Sequence, residues 1–297
     1  MTTTLTPPAD AGYVSLRQID PHTRRRQLKS RLVRYSLIAS MAIALTPLAL
    51  IIIQVVARGY GAINLEFFTS TEFPPAREGG GYLSGIVGTT YMVSLAAVFA
   101  IPLGIMAAIY LVEYGTGYLA KTIRFFTDVM TGVPSVFVGL FVYALLVSQF
   151  RFGTLLGAIG LAIMMLPIVV RSSEEMIKLV PLDQRAAAQG LGARKWQTIM
   201  KVVLPTAAPG ITTGAMLAVA RAAGETAVLL LTALGSIPVV TALTGTAQSS
   251  MTLLIYDGAR QPFAPGKERA WAGALVLLAM VFLLTFIARF ITARTRR

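Results

Sequence analysis

The sequence predicts an all-α, polytopic membrane protein with six transmembrane helices, and three observations point there. Of its 297 residues, 55% are hydrophobic and only 13% charged, with a mean hydropathy of +0.70; soluble domains carry about 25% charged residues. The apolar residues gather in long runs, and about 20 of them in a helix rise about 30 Å, the thickness of the bilayer's hydrocarbon core. The third observation is the placement of Lys and Arg. With the N-terminus inside, 19 of the 26 fall on the cytoplasmic side when Arg289, at the inner end of the last span, is counted there; six lie outside, and Arg221 alone sits deep within a span. That asymmetry is the positive-inside pattern with both termini cytoplasmic, so the chain is expected in the cytoplasmic (plasma) membrane. The formal charge of +13 is then mostly topology, with anionic lipid headgroups as neighbours and no nucleic acid required.

The elements follow in order. Residues 1–34 read as a basic cytoplasmic tail containing Arg24, Arg25, Arg26, Lys29, Arg31 and Arg34. The first apolar run, 35–57, has no small-residue cleavage site promptly after it and reads as an uncleaved anchor. A Gly-rich extracytoplasmic loop, 58–83, carries Glu66, Glu72, Arg77 and Glu78. The second span is expected over 84–112, interrupted by Pro102, the third over 125–148, and the fourth over 154–170. A polar cytoplasmic segment, 171–205, precedes the fifth span, 205–232, and the sixth covers 271–292. Residues 84–293 thus form one transmembrane domain.

The chain offers little to an enzyme. It has no Cys, and its one histidine, His22, lies in the N-terminal tail, which removes disulfides, thiol chemistry and ordinary zinc or haem ligation. Pro265-Gly266-Lys267 lacks the upstream Gly and the hydroxyl residue of a phosphate loop, and neither G-x-S-x-G nor H-E-x-x-H occurs. Active work by such a protein needs energy from a partner.

Two segments carry the functional signal. The first runs from Pro181 to Pro205. Pro181 suits a helix start, Asp183 to Gln189 are mostly good helix formers, Gly190 and Gly192 interrupt, and Ala193 to Val203 resumes with Arg194, Lys195, Trp196 and Lys201. This helix–Gly–helix on the cytoplasmic side suits either an interfacial hairpin with Trp196 at headgroup depth or a docking element for the groove of a cytosolic partner.

The second segment is Arg221-Ala-Ala-Gly-Glu225-Thr226 in the fifth span. On a continuous helix, Arg221 and Glu225 share one face. Ionisable residues inside a membrane are costly and face a bundle interior or a pathway. The pair either neutralises itself and locks two helices, or it serves an anion, with the Arg221 fork presented to an oxyanion such as phosphate and Glu225 orienting it. The every-fourth stripe Gly210, Gly214, Ala218 and Ala222 reads as close helix packing. Asp128, near the cytoplasmic end of the third span, is a pathway candidate of equal weight to a plain interfacial carboxylate.

The spacing Ala187-Ala188-x3-Gly192-x9-Val202-x-Leu204-Pro205 resembles the EAA loop of ATP-binding-cassette importer permeases, whose short helices insert into the ATPase subunits. One departure stands out. The family's acidic position is Ala186 here, which removes a charge-assisted contact and leaves docking by shape. Arg-Ala-x-Gly-Glu-Thr after that loop resembles the phosphate-specific branch. So do Gly80-Gly81 with Gly88-Thr89, the segment from Pro102 to Tyr114, Asp128-Val-Met-Thr-Gly-Val-Pro-Ser135, Leu166-Pro-Ile-Val-Val-Arg171 with Glu174-Glu175, and Ile255-Tyr256. The match covers about residues 80–292, and the Ile-Tyr-Asp loop is more similar to the A-type subunit than to its C-type partner.

The resemblance implies a type I ABC importer permease (MetI-like) fold and import of inorganic phosphate. It implies a homologous permease subunit (PstC-like), an ATPase dimer (PstB-like) and an extracytoplasmic phosphate-binding protein (PstS-like). No cofactor is then expected in this chain, ATP and Mg being bound by the partner ATPase. It places Arg221, Glu225, Thr226 and Asp128 along the substrate pathway. Ala186, Ala187, Ala188, Gly192, Arg194 and Trp196 fall in the ATPase-coupling loop. A permease for sulfate or molybdate is the alternative on substrate, since one Arg does not separate tetrahedral anions. An ion-coupled secondary transporter leaves the helix–Gly–helix unexplained, and a lipid-acting enzyme lacks a nucleophile–base pair.

Overall fold

The structure is a computed structural model and describes residues 21–294; most of the expected tail, residues 1–20, lies outside the described residues. The chain divides into two compact units, Met1–Gln54 and Val55–Arg297. Helix α1 (Pro21–Gly59) supplies all of the described part of the first unit, and its side chains from 25 to 54 are exposed.

The second unit is built from α2 (Leu65–Thr69), α3 (Leu83–Ile109), α4 (Tyr118–Gly132), α5 (Ser135–Val142), α6 (Ser148–Phe150) and α7 (Thr154–Lys178). It continues with α8 (Leu182–Gly190), α9 (Lys195–Thr198), α10 (Leu204–Ala223), α11 (Ala227–Thr232), α12 (Met251–Arg260) and α13 (Ala264–Arg294). Wide π-helical turns occupy Tyr110–Tyr114, Tyr143–Val147 and Ile199–Val203. Among the described residues, five helices are long and apolar enough to cross a membrane, and one bent pair brings the count up to six.

The core lies where α3 crosses α7 and α10. Met92, Val93, Ala96 and Ala100 of α3 pack with Leu161, Met165 and Val169 of α7 and with Ala218, Ala222 and Ala223 of α10. Lipid is as apolar as this core, so close approach of backbones, and the dispersion it permits, holds such helices together. The small-residue stripe of α10 serves that purpose: Gly214, Ala218 and Ala222 are buried, and Gly214 abuts Ser172 of α7.

Two expected spans are broken. The third bends by 109° between Tyr118–Gly132 and Ser135–Phe150. Pro134 has no N–H to give and forces its predecessor out of helical geometry, and Val133 is extended (φ −72°, ψ 127°). The fifth ends at α10, capped by Gly224. Glu225 and Thr226 then intervene before the single turn and a half of α11.

An outer cap closes one end of the unit. Phe67 and Tyr82 pack with Met251, Leu254, Ala272 and Val276, and the Tyr82 hydroxyl donates to the Leu254 carbonyl at 3.1 Å. Segment 248–250 threads across the start of α3, where the Thr89 hydroxyl accepts from the Met251 N–H at 2.8 Å. A Cβ at Gly88 would collide with the Ser249 carbonyl oxygen. Gly88→Ala is therefore expected to destabilise the protein by about 1–3 kcal/mol, since backbone must move. The check is the melting temperature in detergent, which falls in the variant.

Candidate substrate pathway and coupling loop

Arg221 occupies the last turn of α10, about 26 Å along the helix from Leu204 at 1.5 Å per residue. Its side chain is exposed, and among the described residues it makes no hydrogen bond or ion pair. The expected Arg221–Glu225 face-sharing pair does not form, because Gly224 ends the helix before Glu225. The Glu225 N–H turns back to the Ala222 carbonyl at 3.1 Å, and the Glu225 carbonyl accepts from the Thr252 hydroxyl at 2.9 Å. Thr252 in turn lies 3.0 Å from the Ser250 hydroxyl. Thr226 starts α11 without a side-chain cap. The break thus brings the Thr252 and Ser250 hydroxyls to the Glu225 carbonyl, a few residues along the chain from the exposed Arg221 guanidinium.

A groove of about 810 Å³ runs between α7, α10 and α13, lined by Ser172, Gly210, Thr213, Gly214, Leu217 and Phe282 among others. Positions 210, 214, 217 and 221 follow one face of a helix, so this face of α10 leads from the groove to Arg221.

Asp128 sits beside a cluster of charges on α4 and α7. It lies 3.8 Å from Arg171, which approaches Glu174 at 3.9 Å. Glu174, with 1% of its side chain exposed, binds Arg124 and Lys178 at 2.9 Å each, and Arg124 also donates to the Leu111 carbonyl at 2.8 Å. A buried carboxylate needs such partners, since desolvating it alone costs several kcal/mol. The cluster fastens α4 to α7 and to the wide turn after α3. Asp128 is its exposed rim.

The coupling loop folds as a helix, a turn and a second helix. Helix α8 ends in a Schellman arrangement: Gly192 N–H donates to Gln189 at 2.9 Å, and Ala193 N–H donates to Ala188 at 3.1 Å. Gly192 holds φ at +85°, the left-handed region that only Gly enters without cost. Arg194 precedes α9, and its N–H donates to the Gln197 side chain at 2.8 Å. Ala186 and Ala187 are exposed and Ala188 half-buried. Leu182, Leu191 and Trp196 are 79%, 90% and 54% exposed, an apolar display well beyond what a solvated loop needs.

The outer loop hangs on a residue that spacing did not single out. Arg269, 4% exposed, donates to the carbonyls of Phe73, Pro74, Arg77 and Gly79. Glu66 of the same loop accepts from the Gly80 N–H at 3.1 Å. Burial pushes the Glu72 carboxyl above its usual range, opposed by Arg269 and reinforced by Asp257. A raised acid is penalised by folding only while ionised, so the penalty exists above its folded pKa and fades as pH falls through it. Glu72→Gln should therefore melt above wild type at pH 7.5, and the two curves should converge in acid.

The fold is a polytopic helical bundle with helices long and apolar enough to cross a membrane and a helix–turn–helix between two of them. Residues 100–297 match the family described as "Binding-protein-dependent transport system inner membrane component", and the chain belongs to that family. Its members are non-enzymatic transport subunits that work with a separate ATPase and a substrate-binding protein. Among its relatives, "Phosphate transport system permease protein PstA" of Yersinia pestis is 40% identical over 273 residues, covering 91% of this chain and 92% of the relative. "Phosphate transport system permease protein PstA 1" of Mycobacterium tuberculosis (strain ATCC 25618 / H37Rv) is 38% identical over 285 residues, covering 93% and 92%. Two solved folds are similar. One is a chain of the inward-facing MetNI methionine ABC transporter (TM-score 0.61, 17% identity, 72% of this chain and 96% of that one). The other is a chain of a bacterial alginate importer (TM-score 0.65, 16% identity, 93% and 100%).

Proposed function

We propose that this chain is the permease subunit of an ATP-driven importer of inorganic phosphate in the cytoplasmic membrane. The observation that carries the reading is Arg221, a guanidinium without a partner among the described residues, in the last turn of α10 before the Gly224 break and one residue past Ala220 of the open groove. Relatives named as phosphate transport permeases over nine-tenths of the chain support the substrate.

In this reading a homologous permease subunit covers the open face of α10, and the two subunits enclose the pathway. An ATPase dimer docks on the apolar tips of the coupling loop and supplies all bond chemistry, holding ATP and Mg itself. An extracytoplasmic phosphate-binding protein delivers the anion to the outer cap, and both termini lie in the cytoplasm. Arg221 receives the oxyanion through its planar fork, which matches two phosphate oxygens at once. Glu225 and Thr226, at the break, shape the same point, with Glu225 repelling the anion and so favouring its release. The ATPases closing on ATP shift the coupling loops, and the bundles expose Arg221 alternately to the two sides. Asp128 stands at the cytoplasmic rim of the pathway.

The test is ATP-driven uptake by the reconstituted complex with phosphate, sulfate and molybdate offered in competition. Uptake of phosphate, resisting excess sulfate and molybdate, is the expected result. Movement of another oxyanion instead overturns the substrate, and uptake indifferent to ATP overturns the importer class.

A further inference from the structure

Helix α8 is the part of the coupling loop that displays its apolar side chains outward, and it buries none of its own residues. What fastens it to the membrane-spanning helices is polar. The Arg185 guanidinium reaches back with Nη1 paired to the Glu113 carboxylate and Nη2 donating to the Ile177 carbonyl at 2.7 Å. Glu113 lies in the wide turn that ends α3, and Ile177 lies in the last turn of α7. From the far side of the loop, the Lys195 ammonium at the start of α9 donates to the Glu113 carbonyl and sits 4.3 Å from the Tyr114 ring centroid. The Arg185 and Glu113 side chains are only 14% and 10% exposed, so solvent screens this pair far less than a surface bridge.

By chain connectivity alone, α8 is tied to α7 through residues 179–181 and to α10 through α9 and the wide turn Ile199–Val203. Both routes meet α3, the helix at the centre of the core, only through the apolar packing of α7 and α10 against it. The Glu113 contacts reach the end of α3 directly, 72 residues away in sequence from Arg185. Wide turns of this kind often mark hinges at functional sites, and one lies on each side of the clasp.

We infer that the Glu113–Arg185 clasp, seconded by Lys195, is the link that makes α3 move with the coupling loop. Glu113 and Arg185 are then positioning residues for transport. They touch neither the anion nor ATP, and they set how much of the ATPase stroke reaches the core. The inference rests on the importer reading above and adds the route of transmission within it.

The complex with its partner permease, ATPase and binding protein is reconstituted with wild type, Glu113→Gln, Arg185→Gln and Arg185→Lys, and phosphate moved per ATP hydrolysed is measured. Glu113→Gln and Arg185→Gln are expected to keep the ATPase bound and hydrolysing within about twofold of wild type, while phosphate per ATP falls about tenfold; Arg185→Lys, which retains the charge but loses the fork, recovers part of the ratio. An unchanged ratio in both Gln variants overturns the inference. Loss of the ATPase from the complex with Glu113→Gln overturns it equally, because the pair then merely folds the loop. Wild-type complex that hydrolyses ATP without moving phosphate contradicts the importer reading itself; if another anion moves, the clasp is judged on that anion's ratio.

Discussion

Arg221→Ala is expected to lower ATP-driven phosphate uptake by about 100-fold while the complex still assembles. The magnitude follows from two charge-assisted hydrogen bonds to the anion, together about 3 kcal/mol, at 1.4 kcal/mol per tenfold. The side chain is exposed and holds no other element in place among the described residues, so its removal costs the fold little. Arg221→Lys keeps a cation but loses the planar fork and should retain about a tenth of the uptake. The measurement is initial uptake rate at matched protein, with gel filtration to show the assembled complex. Glu225→Gln should cost less than either Arg221 variant, because among the described residues no hydrogen bond or ion pair joins Glu225 to the Arg221 guanidinium.

Gly192→Pro is the second large effect. Proline fixes φ near −65° and has no N–H, whereas Gly192 sits at φ +85° and donates to Gln189. The variant loses the end of α8, and with it the spacing between Leu182, Leu191 and Trp196 on which docking by shape depends. Uptake should drop below about a tenth of wild type, with the ATPase no longer co-purifying. Gly192→Ala separates backbone from bulk. A Cβ there meets open space, so only the left-handed strain of about 1–2 kcal/mol is added, and partial function remains. An ATPase that stays bound to Gly192→Pro would show that the turn is not part of the docking element.

Sequence reading captured the helices whose apolar length alone defines them, such as α3, α7 and α13. It read the third and fifth spans as continuous because hydropathy windows sum over a bend. Both breaks were written locally, in Gly132-Val133-Pro134 and in Gly224, as helix-stopping residues inside otherwise continuous apolar runs. The i, i+4 spacing of Arg221 and Glu225 places them on one face only if the helix continues, and Gly224 ends it before Glu225. The helix–Gly–helix of the coupling loop was legible because Pro181 and Gly192 act on their own immediate backbone. Glu113 with Arg185, Arg124 with Glu174, and Arg269 with the outer loop were not. Those partners lie 50 to almost 200 residues apart, and only the tertiary packing of α3, α4, α7, α8 and α13 brings them together. A cation or carboxylate at the edge of a span looks the same in sequence whether it is solvated or clasped.

The central claim is that ATP hydrolysis outside this chain drives phosphate past Arg221. The most direct measurement is phosphate uptake into proteoliposomes holding the complete complex, wild type beside Arg221→Ala, with ATP and with a non-hydrolysable analogue. Wild type is expected to take up phosphate with ATP alone, and the variant close to none although its ATPase remains bound. Wild-type rates from Arg221→Ala, or wild-type uptake that continues with the analogue, would contradict it.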